Sequence, residues 1–393
     1  MTICIVTHGY PLREGDVPGN FLPDFVDALR QEGHRVLVLT PEMRGTAPLL
    51  QSEGVRTFAW RGGERRLGEL KPYDPLAVLA VLNLFLRGTT ALIDLIRAEG
   101  VDFCLAAWAI PSGFLCRRAR ARTGVPYAVW SLGSDMNVYG RKPVLRRVVR
   151  QALADADLLF ANSQGLIRAV ESLTGHTPGF MPTNRLLPKT GVLDLDLGPG
   201  RRHLLFVGRL EPVKGIDLLV QAVARLAADG SDVDLHVLGD GGMRKALERD
   251  VEARGLQGRI FFKGFADGAS VAAHLKACDL LVIPSRSEGL PVVFHEAMQV
   301  GTPVAATDVG DLGPIIREYG VGVVARTVSP EGVAGAISEA LARGRAALSE
   351  RADEVWRGFD IRASARTFSE AIRERANRQD DKDAKERRGT KGF

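Results

Sequence analysis

His203-Leu204-Leu205-Phe206-Val207-Gly208-Arg209-Leu210-Glu211-Pro212-Val213-Lys214-Gly215 is a strand, a loop and a helix start in thirteen residues. The apolar run His203–Val207 stops at a glycine, and Gly215 opens the periodic segment Ile216–Ala228, which reads as a helix. The same unit recurs downstream. Strands are predicted at Asp234–Leu238, Arg259–Phe262, Leu280–Ile283, Pro303–Ala305 and Gly322–Val324, with a helix at Met243–Arg254 and further helical patterns after the later strands. Upstream the rhythm is similar: strands at Ile3–Thr7, Val36–Leu39, Val55–Phe58, Phe103–Ala106, Tyr127–Trp130 and Leu158–Ala161, with a helix at Phe21–Gln31 between the first two. Strands this bare of polar residues fit a parallel sheet covered on both faces. The fold class is therefore α/β, as two Rossmann-like βαβ domains facing each other across a cleft.

The two arrays are separated by Pro178–Arg202, which carries four prolines and four glycines with weak periodicity and reads as a linker. The domains expected are residues 1–190 and 200–358, followed by a C-terminal helix over 361–376. Residues 377–393 are highly charged and almost without apolar side chains, and are expected to be disordered.

A hydrophobic content of 45% with 25% charged residues is ordinary for a globular chain of 393 residues. The four cysteines (Cys4, Cys104, Cys116, Cys278) have no CxxC spacing, so neither a disulfide framework nor a zinc site is expected. The start of the chain has no basic region ahead of its apolar stretch and reads as a first strand, not a signal peptide. Leu76–Leu86, the longest apolar stretch, is broken by Asn83 and stopped by Arg87. It falls short of the ~18 residues of a membrane span and is read as a buried helix. Net charge is +5, but Arg117–Arg150 holds nine bases against one acid, Asp135. A basic patch on an otherwise mildly acidic chain suggests a polyanionic partner.

Two stretches could carry chemistry. Arg209 and Lys214 lie beyond the carboxyl end of a strand and beside a helix start, a setting suited to a diphosphate. Taken alone, the pattern also fits a turn with two solvated bases. The second stretch, Pro284-Ser285-Arg286-Ser287-Glu288-Gly289-Leu290-Pro291-Val292-Val293-Phe294-His295-Glu296, sets two glutamates eight apart, one in a Gly/Pro loop and one in the helix that follows. Loop amides and a helix N-terminus favour an anion. Glu296 could accept hydrogen bonds from a ribose, or be an exposed helix residue.

Together, Val207–Gly215 and the Glu288/Glu296 pattern resemble the retaining, nucleotide-sugar-dependent glycosyltransferases of the GT-B fold, the group 1 or family 4 type. Leu238–Gly242, Phe262–Phe265 and Ala297–Val304 support the resemblance, as do Gly19-Asn20-Phe21 and Glu32–Val36 in the first half. The resemblance implies that Arg209 and Lys214 hold the donor diphosphate, with Gly19 and Gly208 close to the donor. It further implies that Glu296 takes the ribose hydroxyls, and that Glu288 with the backbone of Gly289, Leu290, Pro291 and Val292 contacts sugar and phosphate. The reaction implied is transfer of a hexose-like sugar, with retention, from a nucleoside diphosphate to a glycan or lipid-linked acceptor bound by the N-terminal domain. Asp135 and Glu288 are the candidate catalytic groups. Asp135, alone among bases, is expected to stay ionised and position the acceptor hydroxyl, or else to cap the next helix. His8 is a weaker candidate.

No cofactor and no metal are expected. The Asp-x-Asp triplets 155/157, 194/196 and 232/234 fall at a helix–strand junction, in the linker and in a turn. Two segments depart from the family pattern: Pro182–Leu187, where an Asn-Gly turn is common, and Gly310–Ile315, which lacks a glutamate. In Pro143–Ala154 a stripe of Leu145, Val148, Val149 and Ala152 leaves Arg146, Arg147 and Arg150 off it. Such a helix could rest on an anionic membrane, or pack on the sheet with its arginines in water. A cytoplasmic enzyme, peripheral at the inner face of a membrane, is the setting expected. A nucleotide-sugar epimerase is the rival among enzymes. A nucleic-acid partner is not expected, because no aromatic residues interleave the bases.

Overall fold

The computed structural model describes residues 1–12, 19–42, 53–62, 74–133, 135–136, 143–188, 195, 197–198 and 200–389. The chain forms two compact units. Unit 1 comprises residues 1–162, 166–182 and 361–393, and unit 2 comprises 163–165 and 183–360. The main break falls after Pro182, within the expected linker.

Unit 1 is built on seven parallel strands: β1 (Thr2–Val6), β2 (Arg35–Pro41), β3 (Val55–Phe58), β4 (Phe103–Ala107), β5 (Tyr127–Ser131), β6 (Leu158–Ala161) and β7 (Gly179–Phe180). Their order is β3-β2-β1-β4-β5-β6-β7, reversing direction between β1 and β4. Strand side chains alternate between faces. Cys4 and Val6 of β1 join the core made with the helices Pro75–Glu99, Phe114–Thr123 and Pro143–Ala154. On the opposite face Phe368, fully buried in the last helix, meets Phe25, Phe103 and Phe160 with ring centroids 6.3, 5.9 and 5.7 Å away. Arg375 pairs with Asp157 (2.7 Å), and His34 Nε2 lies 3.0 Å from Ser369 Oγ. The final helix is thus part of unit 1 rather than an appendage of the second array. It runs Ile361–Gly389, so the segment expected to be disordered is helical through residue 389.

One expected buried helix is buried on one side only. Leu76–Leu86 is the first half of the helix Pro75–Glu99, which by length and composition is apolar enough to cross a bilayer. Its inner side, Ala77, Ala80, Leu84, Leu92 and Ile96, is buried in the unit 1 core, whereas Leu76, Leu79, Leu82 and Leu86 are exposed.

Unit 2 holds six parallel strands: β8 (Arg202–Val207), β9 (Val233–Leu238), β10 (Ile260–Gly264), β11 (Leu280–Ile283), β12 (Val304–Thr307) and β13 (Gly322–Ala325). Their order is β10-β9-β8-β11-β12-β13, with the reversal between β8 and β11. Leu204 and Phe206 of β8 face one core, shared with the helices Ile216–Ala228 and Pro330–Arg343. Leu205 faces the other, shared with Gly268–Ala277, Val292–Gln299 and Leu312–Tyr319. Both faces are covered, which is why these strands read as unbroken apolar runs.

Candidate donor-binding site

In open parallel sheets, ligands gather beyond the carboxyl ends of the strands where the order reverses. In unit 2 that point is flanked by the loops after β8 and β11, residues 208–215 and 284–291. These are the two stretches singled out by their sequence, and the fold fastens them together. Gly215 has a φ of +67°, and a Cβ on it would stand 1.9 Å from the Pro284 carbonyl oxygen, so only glycine fits. The Arg286 amide donates to Val213 O (2.8 Å). Its guanidinium donates to Pro212 O (2.6 Å) and grips Asp217 through two bonds of 2.7 and 2.6 Å. That grip holds the Asp217 carboxyl below the usual range. A third loop, after β12, closes on the same frame. Gly310 has a φ of +58°, and a Cβ there would lie 2.4 Å from the carbonyl oxygens of both Glu288 and Gly289.

On this frame sit the charged side chains. Lys214 Nζ donates to Glu288 Oε1 at 2.6 Å, and the same oxygen accepts from Ser285 Oγ at 2.7 Å. Arg209, beside Gly208, is exposed and pairs with Glu211 (2.6 Å). Gly289, Leu290 and Pro291 lead into the helix beginning at Val292, whose N-terminal end carries partial positive charge. Glu296, one turn inside that helix, is only 3% exposed. Its Oε1 accepts from the Arg185 guanidinium at 2.7 Å (Nε) and 2.5 Å (terminal nitrogen). Gln299, on the next turn, donates to Arg185 O (2.7 Å) and accepts from the Leu187 amide (3.0 Å). Two cations, a helix start and two carboxylates thus converge at one sheet edge. An arriving anion would compete with Glu288 for Lys214, and Arg209 is free to swing toward it.

Gly19 and Asp135 belong to unit 1, so unit 2's frame does not include them. Gly19 packs against Gly9, beyond the end of β1. Asp135 is fully buried after β5, and its oxygens accept from the amides of Ala109 (3.0 Å), Gly133 (3.0 Å) and Met136 (3.1 Å). The expectation that surrounding bases keep it ionised needs correcting. Burial pushes its carboxyl above the ordinary value, and its partners among the described residues are backbone amides that work against that push. In this position it ties the loop after β4 to the loop after β5. His8 lies beside Trp108 (ring centroids 4.7 Å), and burial lowers it to about 4.

Residues 194–355 match the family model described as glycosyl transferases group 1, and residues 18–177 match the glycosyl transferase 4-like domain. The chain belongs to the group 1 glycosyltransferases. Its two Rossmann-like sheets are those of the GT-B fold. A D-inositol 3-phosphate glycosyltransferase from Geodermatophilus obscurus is 34% identical over 257 residues, which is 57% of this chain and 56% of that protein. For the first curated relatives, the match covers 32% to 64% of the relative's own length. The sucrose-phosphate synthase of Thermosynechococcus elongatus superposes with a TM-score of 0.75 at 21% identity, over 95% of this chain and 98% of that one. The Anabaena protein HepE in complex with UDP-glucose does so at 0.72 and 20%, over 95% and 100%. At such identities the likeness establishes the fold.

Several residues of this candidate site were not legible in the sequence. Arg185 lies in a segment noted only as a departure from the family pattern, and nothing local couples it to a glutamate 111 positions away. Ser285 and the Arg286–Asp217 clamp could have been suspected from their place between the two motifs. Asp155 pairs with Arg117 (2.5 Å), Asp157 with Arg120 (3.0 Å), Asp232 with Arg259 (3.4 Å) and Asp234 with Arg201 (2.8 Å). Asp194 and Asp196 lie outside the described residues.

Proposed function

We propose that this chain transfers a hexose-like sugar, with retention at the anomeric carbon, from a nucleoside diphosphate to a glycan or lipid-linked acceptor. The observation that carries the reading is the Lys214–Glu288 pair, set beside Arg209 at the β8/β11 reversal point. Arg209 and Lys214 take the diphosphate, and the backbone from Gly289 to Val292 lies along the phosphate and sugar. Glu296, held by Arg185, accepts the ribose hydroxyls. Glu288 is drawn off Lys214 by the incoming phosphate and turns to the sugar. As the glycosidic bond breaks, negative charge grows on the leaving diphosphate. Cations and amide dipoles already in place stabilise that charge without reorganising. Uridine is the base favoured, supported by HepE having been solved with UDP-glucose on the same fold. The acceptor falls to unit 1, with Asp135 as a positioning group that shapes the loops after β4 and β5.

The test is a transfer assay with a panel of nucleoside diphosphate hexoses, reading the anomeric configuration of the product by NMR. Release of the nucleoside diphosphate with a retained anomer supports the reading. An inverted product, or turnover of the donor to an epimer with no acceptor present, contradicts it.

A further inference from the structure

The outer surface of the helical layer on one face of unit 1 combines two unsatisfied features. On the helix Pro75–Glu99, Leu76, Leu79, Leu82 and Leu86 are 75%, 52%, 53% and 69% exposed. Their spacing of three, three and four puts them in one stripe. The opposite side of the helix is buried, so the stripe is the helix's outward edge rather than an unfolded end. Alongside lies the helix Phe114–Thr123, and beyond it Pro143–Ala154, on the same face of the sheet. Arg118 and Arg122 on the first, and Arg146, Arg147 and Arg150 on the second, are exposed and have no ion-pair partner among the described residues. Neither helix contains an aspartate or glutamate. Among the described residues, four exposed leucines on one helix and five arginines without an ion-pair partner on its neighbours share this helical layer.

We propose that this face docks on an anionic lipid bilayer, the leucine stripe entering the headgroup–acyl boundary and the arginines contacting lipid phosphates. Apolar side chains on a helix lying in the interface, flanked by cations, are the requirements for such binding. A spanning arrangement is excluded by the packing of Ala80, Leu84, Leu92 and Ile96 into the unit 1 core. Pairing with a second copy through the same patch would bring two sets of unpaired arginines into one two-fold interface, which like-charge repulsion disfavours. Phospholipid phosphates match those charges, and acyl chains match the leucines.

The test is co-sedimentation of the full chain with vesicles of phosphatidylcholine alone or mixed with phosphatidylglycerol, at low and physiological salt. Wild-type protein is expected on the mixed vesicles. Changing Arg146, Arg147 and Arg150 to Gln should weaken that binding roughly a hundred-fold at moderate salt. Leu79→Gln, Leu82→Gln and Leu86→Gln together should leave only a weak attraction that disappears at physiological salt. All these positions are exposed, so melting temperatures should match wild type. No binding of the wild type to mixed vesicles at low salt overturns the proposal, as does wild-type binding by the leucine variant. So does a wild-type dimer that the leucine variant converts to monomer with vesicle binding unchanged.

Discussion

The two units repeat one architecture and use it differently at the corresponding place. Where strand order reverses in unit 2, the loops carry ion-paired, solvent-reaching groups: Lys214 with Glu288, and Arg209 with Glu211. Where it reverses in unit 1, the described residues of the adjoining loops include buried groups, His8 against Trp108 and Asp135 among backbone amides. Unit 1 instead has, on the outside of a helical layer, five exposed arginines without an ion-pair partner among the described residues. The same parallel sheet can therefore carry ion-paired groups in the loops at its carboxyl end or, among the described residues, buried ones. Which one it does depends on a few loop residues rather than on the strands.

The largest effect is expected where unit 1 depends on the end of the chain. Phe368→Ala leaves a void among Phe25, Phe103 and Phe160 and should cost about 3–5 kcal/mol. Three of the four tryptophans (Trp60, Trp108 and Trp130) are in unit 1, so intrinsic fluorescence during denaturant unfolding reads this directly. An unchanged transition would separate the final helix from unit 1's stability.

Next comes the charge pair at the unit 2 edge. Lys214→Ala or Arg209→Ala should lower donor affinity and turnover together by about ten- to a hundred-fold, the loss of a charge-assisted contact worth roughly 1.5–3 kcal/mol. Asp135→Asn, the matching change in unit 1, should leave the donor dissociation constant within error while loosening the loop at Ala109. Equal donor losses in both units would erase the contrast drawn here.

A comparable effect, conditional on pH, is expected at His295. Burial lowers it from 6.5 to about 3, and neither ring nitrogen has a hydrogen-bond partner among the described residues. Between those two values the unfolded chain binds the extra proton, so stability is complete above pH 6.5 and is lost as the pH falls toward 3. At pH 5 the loss is about 2 kcal/mol from this residue. His295→Leu should raise the melting temperature and flatten its dependence between pH 7.5 and 5. The smallest effect is that of EDTA, which should leave turnover unchanged if Arg209 and Lys214 meet the diphosphate charge as proposed.

Twelve of the thirteen strands could be read from the sequence, most of them because both faces of each sheet are covered, which leaves largely apolar runs; Val55–Phe58, at a sheet edge, is half exposed. The exception, Gly179–Phe180, is two residues long in a stretch of glycine and proline. The loop after β8 was legible for a different reason: its close approach to Pro284 demands glycine at Gly215. What failed was everything that depends on neighbours. Leu76–Leu86 was read as buried because hydropathy reports preference and not surroundings. Residues 377–389 were read as disordered because they lack apolar side chains. Yet a helix already nucleated by the docking of Phe368 and Arg375 extends through good helix formers at little cost. The return of that helix to unit 1 and the reach of Arg185 to Glu296 join residues far apart in the chain, and neither leaves a local pattern.

The central claim is that the loops after β8 and β11 of unit 2 hold the diphosphate of the donor. Calorimetric titration of UDP into the wild-type protein and into the Arg209→Ala and Lys214→Ala variants tests it most directly. The account predicts saturable one-site binding to the wild type, weakened about ten-fold or more in each variant, with melting curves in the absence of nucleotide unchanged. Wild-type affinity in both variants would contradict it.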